Sequence, residues 1–230
     1  MIDKPPPSVG LKAGLSLLGD PQFARLFWGR LVSTLGSGMA PVAIAFAVLD
    51  LTGSAAWVGR VLAAQTGAMV LVQLFAGALA DRMPRARLMV GADLLATASQ
   101  TAVAVLLLTG LAGPWHLLGF EAVNGIAFAL FFPASVGLVP QVVRRDQLQP
   151  ANALLSIAQS GATALGAAIA GIIVALLGAG WAIGIDALTF LASAIVLAGI
   201  RPVARMREVT ASLLAEIRGG WEEFTSHTWL

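Results

Sequence analysis

Three charged side chains stand well inside long apolar stretches, where charge is costly unless it serves a purpose: Arg30, Asp93 and Glu121. An ionised group in hydrocarbon needs a partner. Arg30 and Asp93 lie at similar depths, which makes them a candidate ion pair. A substrate-binding role stays open for Arg30, and both residues are candidates for lining a cavity or for coupling. For Glu121 two interpretations stay open: a carboxylate that reaches the membrane surface, or a site for a proton or cation.

The tightest cluster of charge in the apolar body follows Gly77, in the segment Gly77-Ala-Leu-Ala-Asp-Arg-Met-Pro-Arg-Ala-Arg-Leu88. Asp81 predicts the end of a helix, and Pro84 prevents the helix from continuing. Three arginines are typical of side chains held in a lipid headgroup layer, with a part in a moving charge relay as the alternative: Arg82, Arg85 and Arg87. The segment therefore predicts a short hydrophilic turn between two membrane-spanning helices.

The composition is that of a membrane protein. Of 230 residues, 58% are hydrophobic and 11% are charged, and the mean hydropathy is +0.85. Soluble domains carry about 25% charged residues. The basic residues lie at helix ends and form no single patch, which argues against a nucleic-acid partner. Without cysteine there is no disulfide and no thiolate ligand, and we expect no metal and no organic cofactor.

The apolar stretches are long enough to cross a bilayer, since a helix of about 20 residues spans its hydrocarbon core. We predict a lead over 1–24, a six-helix bundle over 25–200 and an amphipathic linker helix over 201–230. The predicted spans are about 26–49, 55–80, 88–111, 117–139, 151–177 and 181–200. Pro41 and the nearby glycines predict a weakened first helix, and Pro133 predicts an interruption of the fourth.

Nearly all lysines and arginines fall in the lead, the second turn, the fourth loop and the tail. By the positive-inside rule, both chain termini are predicted to be cytoplasmic in a protein of the cell membrane. Within the fifth span, the regular glycines Gly161, Gly166 and Gly171 predict a small-residue face for close helix packing.

The segment Gly77-x-Leu-Ala-Asp81-Arg82-x-x-Arg85-x-Arg87 resembles the signature between helices two and three of the major facilitator superfamily. Other stretches resemble its drug- and siderophore-exporter branch, which includes exporters of enterobactin and macrolides: Gly29-Arg-Leu-Val-Ser-Thr-Leu-Gly-Ser37, Leu49-Asp-Leu-Thr-Gly-Ser54, Asp93-Leu-Leu, Phe132-Pro-Ala-Ser135 and Gln149-Pro-Ala-Asn-Ala153. The chain departs from the pattern at Pro84, where glycine is common, and in lacking proline beside Gly166.

This resemblance implies an all-α membrane protein whose six helices form two three-helix repeats and the N-terminal half of the fold. It implies proton-coupled export of a bulky amphipathic solute by alternating access. The expected partners are the lipid bilayer, that solute, and a C-terminal six-helix half or a second copy. In the family, Gly77 permits close approach to a helix of the second half, and Asp81 caps that helix and locks one conformation.

Two other classes of function compete with a transporter. An intramembrane enzyme is disfavoured because the sequence has no Gly-x-Ser-x-Gly elbow and no His-Glu-x-x-His motif. A membrane scaffold or regulator that transports nothing stays open, although Arg30, Asp93 and Glu121 would be costly in a passive scaffold. We therefore expect a transporter and no catalytic residues.

Overall fold

A computed structural model describes residues 11–201, and within that range the chain is helical with no β-strand. The predicted linker helix over 201–230 lies outside the described residues except for Arg201, which follows the last helix. The α-helices are α1 (Leu11–Ser16), α2 (Pro21–Thr52), α3 (Ala55–Arg82), α4 (Arg85–Leu108), α5 (Pro114–Val142), α6 (Leu148–Leu177) and α7 (Ala179–Ala198).

Six of these helices, α2 to α7, are long and apolar enough to cross a membrane. The prediction of an all-α protein with six spans is confirmed. Helix α2 begins inside the predicted lead, because Asp20 caps it by accepting hydrogen bonds from the backbone N–H groups of Gln22 and Phe23, and Pro21 occupies its first turn.

The predicted interruption of the fourth span at Pro133 is wrong, and the predicted weak point near Pro41 does not end the first long helix. Helix α2 continues through Pro41, and α5 continues through both Pro133 and Pro140. Proline removes one backbone hydrogen bond, but contacts with neighbouring helices hold the chain helical on both sides of it. As a result α5 extends past the predicted end of the fourth span.

The helices pack in a symmetric pattern that relates the first three spans to the last three. The most extensive interfaces join α3 to α5, α2 to α6, α4 to α5, α2 to α7 and α4 to α7. Exchanging α2, α3 and α4 for α5, α6 and α7 turns this set of pairs into itself. Each three-helix repeat therefore packs chiefly on the other repeat, and the odd helix count inverts one repeat relative to the other.

The inverted repeats place four charged side chains at matching positions. Arg30 and Asp93 in the first repeat, and Glu121 and Asp186 in the second, all lie roughly two turns beyond the start of their helices. Arg30 and Asp93 are therefore nearer one end of the bundle, which we call the Asp81 end. Glu121 and Asp186 are nearer the opposite end, the Trp115 end.

Two apolar clusters close the bundle, one at each end. The cluster at the Asp81 end includes Phe23, Leu26 and Leu138. The cluster at the Trp115 end includes Ile44, Leu117 and Ile183. The polar and charged side chains of the interior lie between these clusters.

The start of α2 and the end of α7 are joined at the Asp81 end. The Arg25 guanidinium donates a hydrogen bond of 2.7 Å to the Gly199 carbonyl, and the Arg201 backbone N–H donates one of 3.0 Å to the Gln22 side-chain oxygen. These bonds connect the first and last spans of the bundle.

Candidate functional site

A cavity of about 320 Å³ lies in the interior, and all six long helices contribute to its wall. One part of the lining carries hydroxyl and amide groups: Ser33, Thr34, Ser37, Gln65, Asn124, Gln159 and Thr163. Another part is apolar: Met69, Phe128, Phe131, Phe132 and Phe190. The cavity can therefore hold a molecule that has an apolar body and a polar end.

Two aromatic rings from α5 stack on each other in the apolar wall. Phe128 and Phe132 are one turn apart, and their rings stack with centroids 6.3 Å apart and planes 14° from parallel. Both side chains are more than two-fifths exposed, at 46% and 42%. Part of each side chain is therefore left uncovered by other protein atoms.

The half-buried side chain of Arg30 lines the cavity from α2. Its guanidinium donates one long hydrogen bond, 3.4 Å, to the side-chain oxygen of Gln159 on α6. Gln159 is neutral, so this contact does not balance the charge of the guanidinium.

Asp93 lines the same cavity from α4, but its side chain is almost completely buried, with 2% exposed. Its carboxyl group lies beside the hydroxyls of Ser33 and Ser193. The predicted ion pair with Arg30 does not form among the described residues. Equal depth along two helices does not fix the direction around each axis, and Arg30 points toward α6 whereas Asp93 points toward α7.

Glu121 is buried behind the wall of the cavity, with 1% of its side chain exposed. One carboxylate oxygen accepts a hydrogen bond of 2.8 Å from the Gln65 side-chain amide, and the other accepts one of 3.0 Å from Gln100. The interpretation of Glu121 as a side chain that reaches the membrane surface is therefore wrong. Gln65 also lines the cavity and so connects it with Glu121.

Asp186, on α7, is fully buried, and neither carboxylate oxygen has a hydrogen-bond partner among the residues described. The carboxyl group packs against Gly36 of α2, where an added Cβ would overlap Asp186 and Thr189. The absence of a side chain at Gly36 is what makes room for this carboxyl group.

The charged turn of the sequence motif joins α3 to α4. Asp81 and Arg85 form an ion pair of 2.9 Å, and Arg85 also donates to the carbonyl of Gly137 on α5. A side chain at Gly137 would overlap the guanidinium. Arg85 therefore binds protein groups of both repeats, which does not fit its interpretation as a headgroup anchor. Arg87 is exposed and Arg82 is half-buried.

Gly77 lies on an exposed face of α3 near this turn, where an added Cβ would meet no atom within 4 Å. Within the described residues, therefore, Gly77 makes no close helix approach. Its predicted role toward a second bundle stays a prediction.

The predicted glycine face on α6 is wrong for the described helices. Gly166 is buried, and an added Cβ there would overlap the Leu35 carbonyl of α2, whereas Gly161 and Gly171 are exposed with open space beside them. Residues five apart on a helix of 3.6 residues per turn point about 140° apart. The three glycines therefore cannot share one face.

Sequence reasoning missed the amides that organise the interior: Gln65, Gln100 and Gln159. A signal for them exists, since polar side chains inside membrane spans face the bundle or a cavity. It also missed Gly125, which brings α5 against the Gln65 backbone carbonyl of α3. A single glycine in a glycine-rich chain carries no comparable signal.

Comparison with models of known protein families identifies a match to this chain. A model of a family described as transmembrane secretion effector, within the major facilitator superfamily, matches residues 12–227. A comparison with curated protein sequences finds no match. The family match covers nearly the whole chain, and it agrees with the six candidate spans around a central cavity. The chain therefore belongs to the transmembrane secretion effector family, a family of membrane transporters in the major facilitator superfamily.

Proposed function

We propose that this chain is the N-terminal half of a secondary active exporter, which moves a bulky amphipathic solute out of the cell in exchange for protons by alternating access. The observation that carries the proposal is the central cavity with its apolar and polar walls, lined by all six spans. A site at the interior of a helical bundle suits a solute that must be released to either side.

Glu121 is the proposed coupling group. An ionised Glu121 accepts hydrogen bonds from the amides of Gln65 and Gln100. When the carboxyl group gains a proton it can donate a hydrogen bond, and the Gln65 amide can turn its carbonyl oxygen toward it to accept that bond. Because Gln65 also lines the cavity, this rearrangement would change the solute-binding wall, which is the link that coupling requires.

A second bundle is proposed to cover α3 and α6. The most apolar segments of these two helices are the least buried of the six, at 6% and 17%. Gly77 on α3, and Gly161 and Gly171 on α6, leave open surface on those helices. We assign this surface to contact with a C-terminal six-helix half or with a second copy, and the Asp81 end to the cytoplasm.

The proposal is tested by reconstitution in liposomes with an internal pH dye and a panel of amphipathic solutes. We expect solute movement coupled to protons when residues 1–230 are combined with a separately expressed C-terminal bundle of the family, and none from residues 1–230 alone. Transport by residues 1–230 alone would replace the half-transporter by a six-helix transporter acting as a dimer. Solute movement that ignores the proton gradient in every combination would refute proton coupling.

A further inference from the structure

The two formal charges that line the cavity differ in how far a ligand can reach them. Asp93 is 2% exposed, and its carboxyl group lies beside the hydroxyls of Ser33 and Ser193. Arg30 is only half-buried, and its guanidinium lies on the cavity wall. The charge that a solute meets in this cavity is therefore positive.

The guanidinium of Arg30 has most of its hydrogen-bonding capacity unused. An arginine has five N–H donors, and within residues 11–201 Arg30 makes one hydrogen bond, at 3.4 Å to the neutral Gln159. No ion pair joins it to a carboxylate of that range. A cation at this depth of a membrane bundle is costly unless an anion balances it, and a carboxylate matches the guanidinium in a bidentate geometry.

The rest of the cavity determines what the anion is attached to. The stacked rings of Phe128 and Phe132, together with Met69, offer an apolar surface in the same cavity. At about 320 Å³ the cavity is near the lower limit for small-molecule sites, which range over roughly 300–1,000 Å³. One or two rings with a short charged chain therefore fit better than a large macrocycle.

We propose that the cavity selects amphipathic solutes whose polar end is a carboxylate, held by Arg30, with an aromatic or other apolar body against the α5 phenylalanines. This inference rests on the proposed function, because only a transporter would use this site to select its substrate. Binding to the site can be measured without transport. Solutes with a neutral or cationic head would lack the pairing with Arg30.

The test uses three probes that differ only in the head group: 4-(1-naphthyl)butyrate, its amide, and 4-(1-naphthyl)butylamine. Their dissociation constants for the purified chain in neutral detergent are measured by equilibrium dialysis, with protein-free micelles as the blank. We expect the carboxylate to bind about 10- to 100-fold more tightly than the amide, as a hydrogen bond to a charged group implies, and the amine to bind most weakly.

Variants identify the residue responsible. Arg30→Gln is expected to reduce the affinity for the carboxylate to that for the amide while leaving the amide unchanged, and Arg30→Lys to keep part of the preference. The matched control is Arg60→Gln, because Arg60 is exposed, stacks on Trp57 and does not line the cavity. Circular dichroism checks that each variant folds. If Arg30→Gln does not fold, the inference is tested by the order of the three probe affinities in the wild-type chain and in Arg30→Lys.

Equal affinity of the wild-type chain for carboxylate and amide, tighter binding of the amine, no binding of any probe, or a preference that survives Arg30→Gln would each overturn the inference. The proposed function fails differently. If the carboxylate preference depends on Arg30 but the reconstituted halves move no solute, the binding site is supported and the transport mechanism is refuted. If they move neutral and anionic solutes equally well, transport stands and the selection by Arg30 falls.

Discussion

The two inverted repeats place charged side chains at matching positions and surround them with different neighbours. In the first repeat, α2 to α4, Arg30 and Asp93 line the central cavity. In the second repeat, α5 to α7, Glu121 and Asp186 are buried, at 1% and 0% exposure, and neither belongs to the described cavity lining. One framework thus places Arg30 where a solute can reach it and leaves Asp93, Glu121 and Asp186 almost completely buried.

The neighbours explain the difference. Beside Arg30 the wall is formed by small hydroxyl side chains and the long, exposed Gln159, which leave space. Around Glu121, the side-chain amides of Gln65 and Gln100 each donate a hydrogen bond to one carboxylate oxygen and cover the carboxylate. The position of a residue along its helix therefore sets the depth of its charge in the membrane. The side chains of the neighbouring helices determine whether a solute can reach that charge.

The turns at corresponding places in the two repeats differ as well. The turn from α3 to α4 carries the Asp81–Arg85 ion pair. Its counterpart from α6 to α7 is Gly178, with φ of +93°, a conformation that glycine adopts readily. The first turn is stabilised by side-chain contacts with α5, and the second needs only a flexible backbone.

The largest effect is expected from Glu121→Gln in a reconstituted transporter. Without the titrating carboxyl group, efflux should lose its dependence on the proton gradient while solute binding stays measurable. The comparison is Asp93→Asn, which is expected to keep a proton-dependent efflux. Both are measured as solute flux at stepped external pH. A wild-type pH profile in Glu121→Gln would show that coupling takes place elsewhere.

The close helix crossings between the repeats are the next test. Gly125→Ala should reduce the free energy of unfolding by about 1–3 kcal/mol, because the new Cβ overlaps the Gln65 backbone carbonyl, which cannot move cheaply. Gly38→Ala, where a Cβ would lie 2.7 Å from the Thr163 carbonyl oxygen, should behave alike.

The matched control on α5 is Gly119→Ala, since Gly119 has open space beside it. That change should be neutral or stabilise the helix by up to about 1 kcal/mol. Unfolding in mixed micelles, followed by circular dichroism, measures all three variants. Equal effects for Gly119 and Gly125 would mean that the crossing between α3 and α5 is not tight.

The charged turn offers a smaller effect. Arg85→Ala removes the contacts with Asp81 and with the Gly137 carbonyl, and should lower the free energy of unfolding by about 1–2 kcal/mol. Arg87→Ala, at an exposed position of the same turn, should change it by less than about 0.5 kcal/mol. The same unfolding assay measures both variants. Equal changes in the free energy of unfolding would mean that the contacts of Arg85 with Asp81 and Gly137 do not stabilise the fold.

The smallest change in stability is expected from Asp81→Asn. Its ion pair with Arg85 is four residues apart on the surface, with 58% of the Asp81 side chain exposed, and such pairs contribute about 0.3–0.5 kcal/mol. In the proposed role of Asp81 as the cap of a helix in the second bundle, an amide would bind the helix end more weakly than a carboxylate, so we expect transport by the reconstituted halves to be impaired. Normal flux at normal membrane levels would contradict this assignment.

Six spans, and the charged residues Arg30, Asp93 and Glu121 within them, are predictable from the sequence alone. Span number follows from apolar length, since a bilayer imposes a minimum that local composition alone can meet. The charged turn at Asp81 was found in the same way, because proline and clustered charge act locally on a helix. The motif led to the superfamily that the family match then confirmed.

Which of these side chains meet depends on how the helices pack against one another. Arg30 and Asp93 share a depth but point toward different helices, and Glu121 is bound by amides from α3 and α4 that are remote in the chain. The glycines of α6 differ for the same reason, with Gly166 buried against α2 and Gly161 exposed. The depth of a residue in the membrane follows directly from its position along an apolar span. The neighbour that its side chain faces depends on how the surrounding helices pack, which the sequence does not give directly.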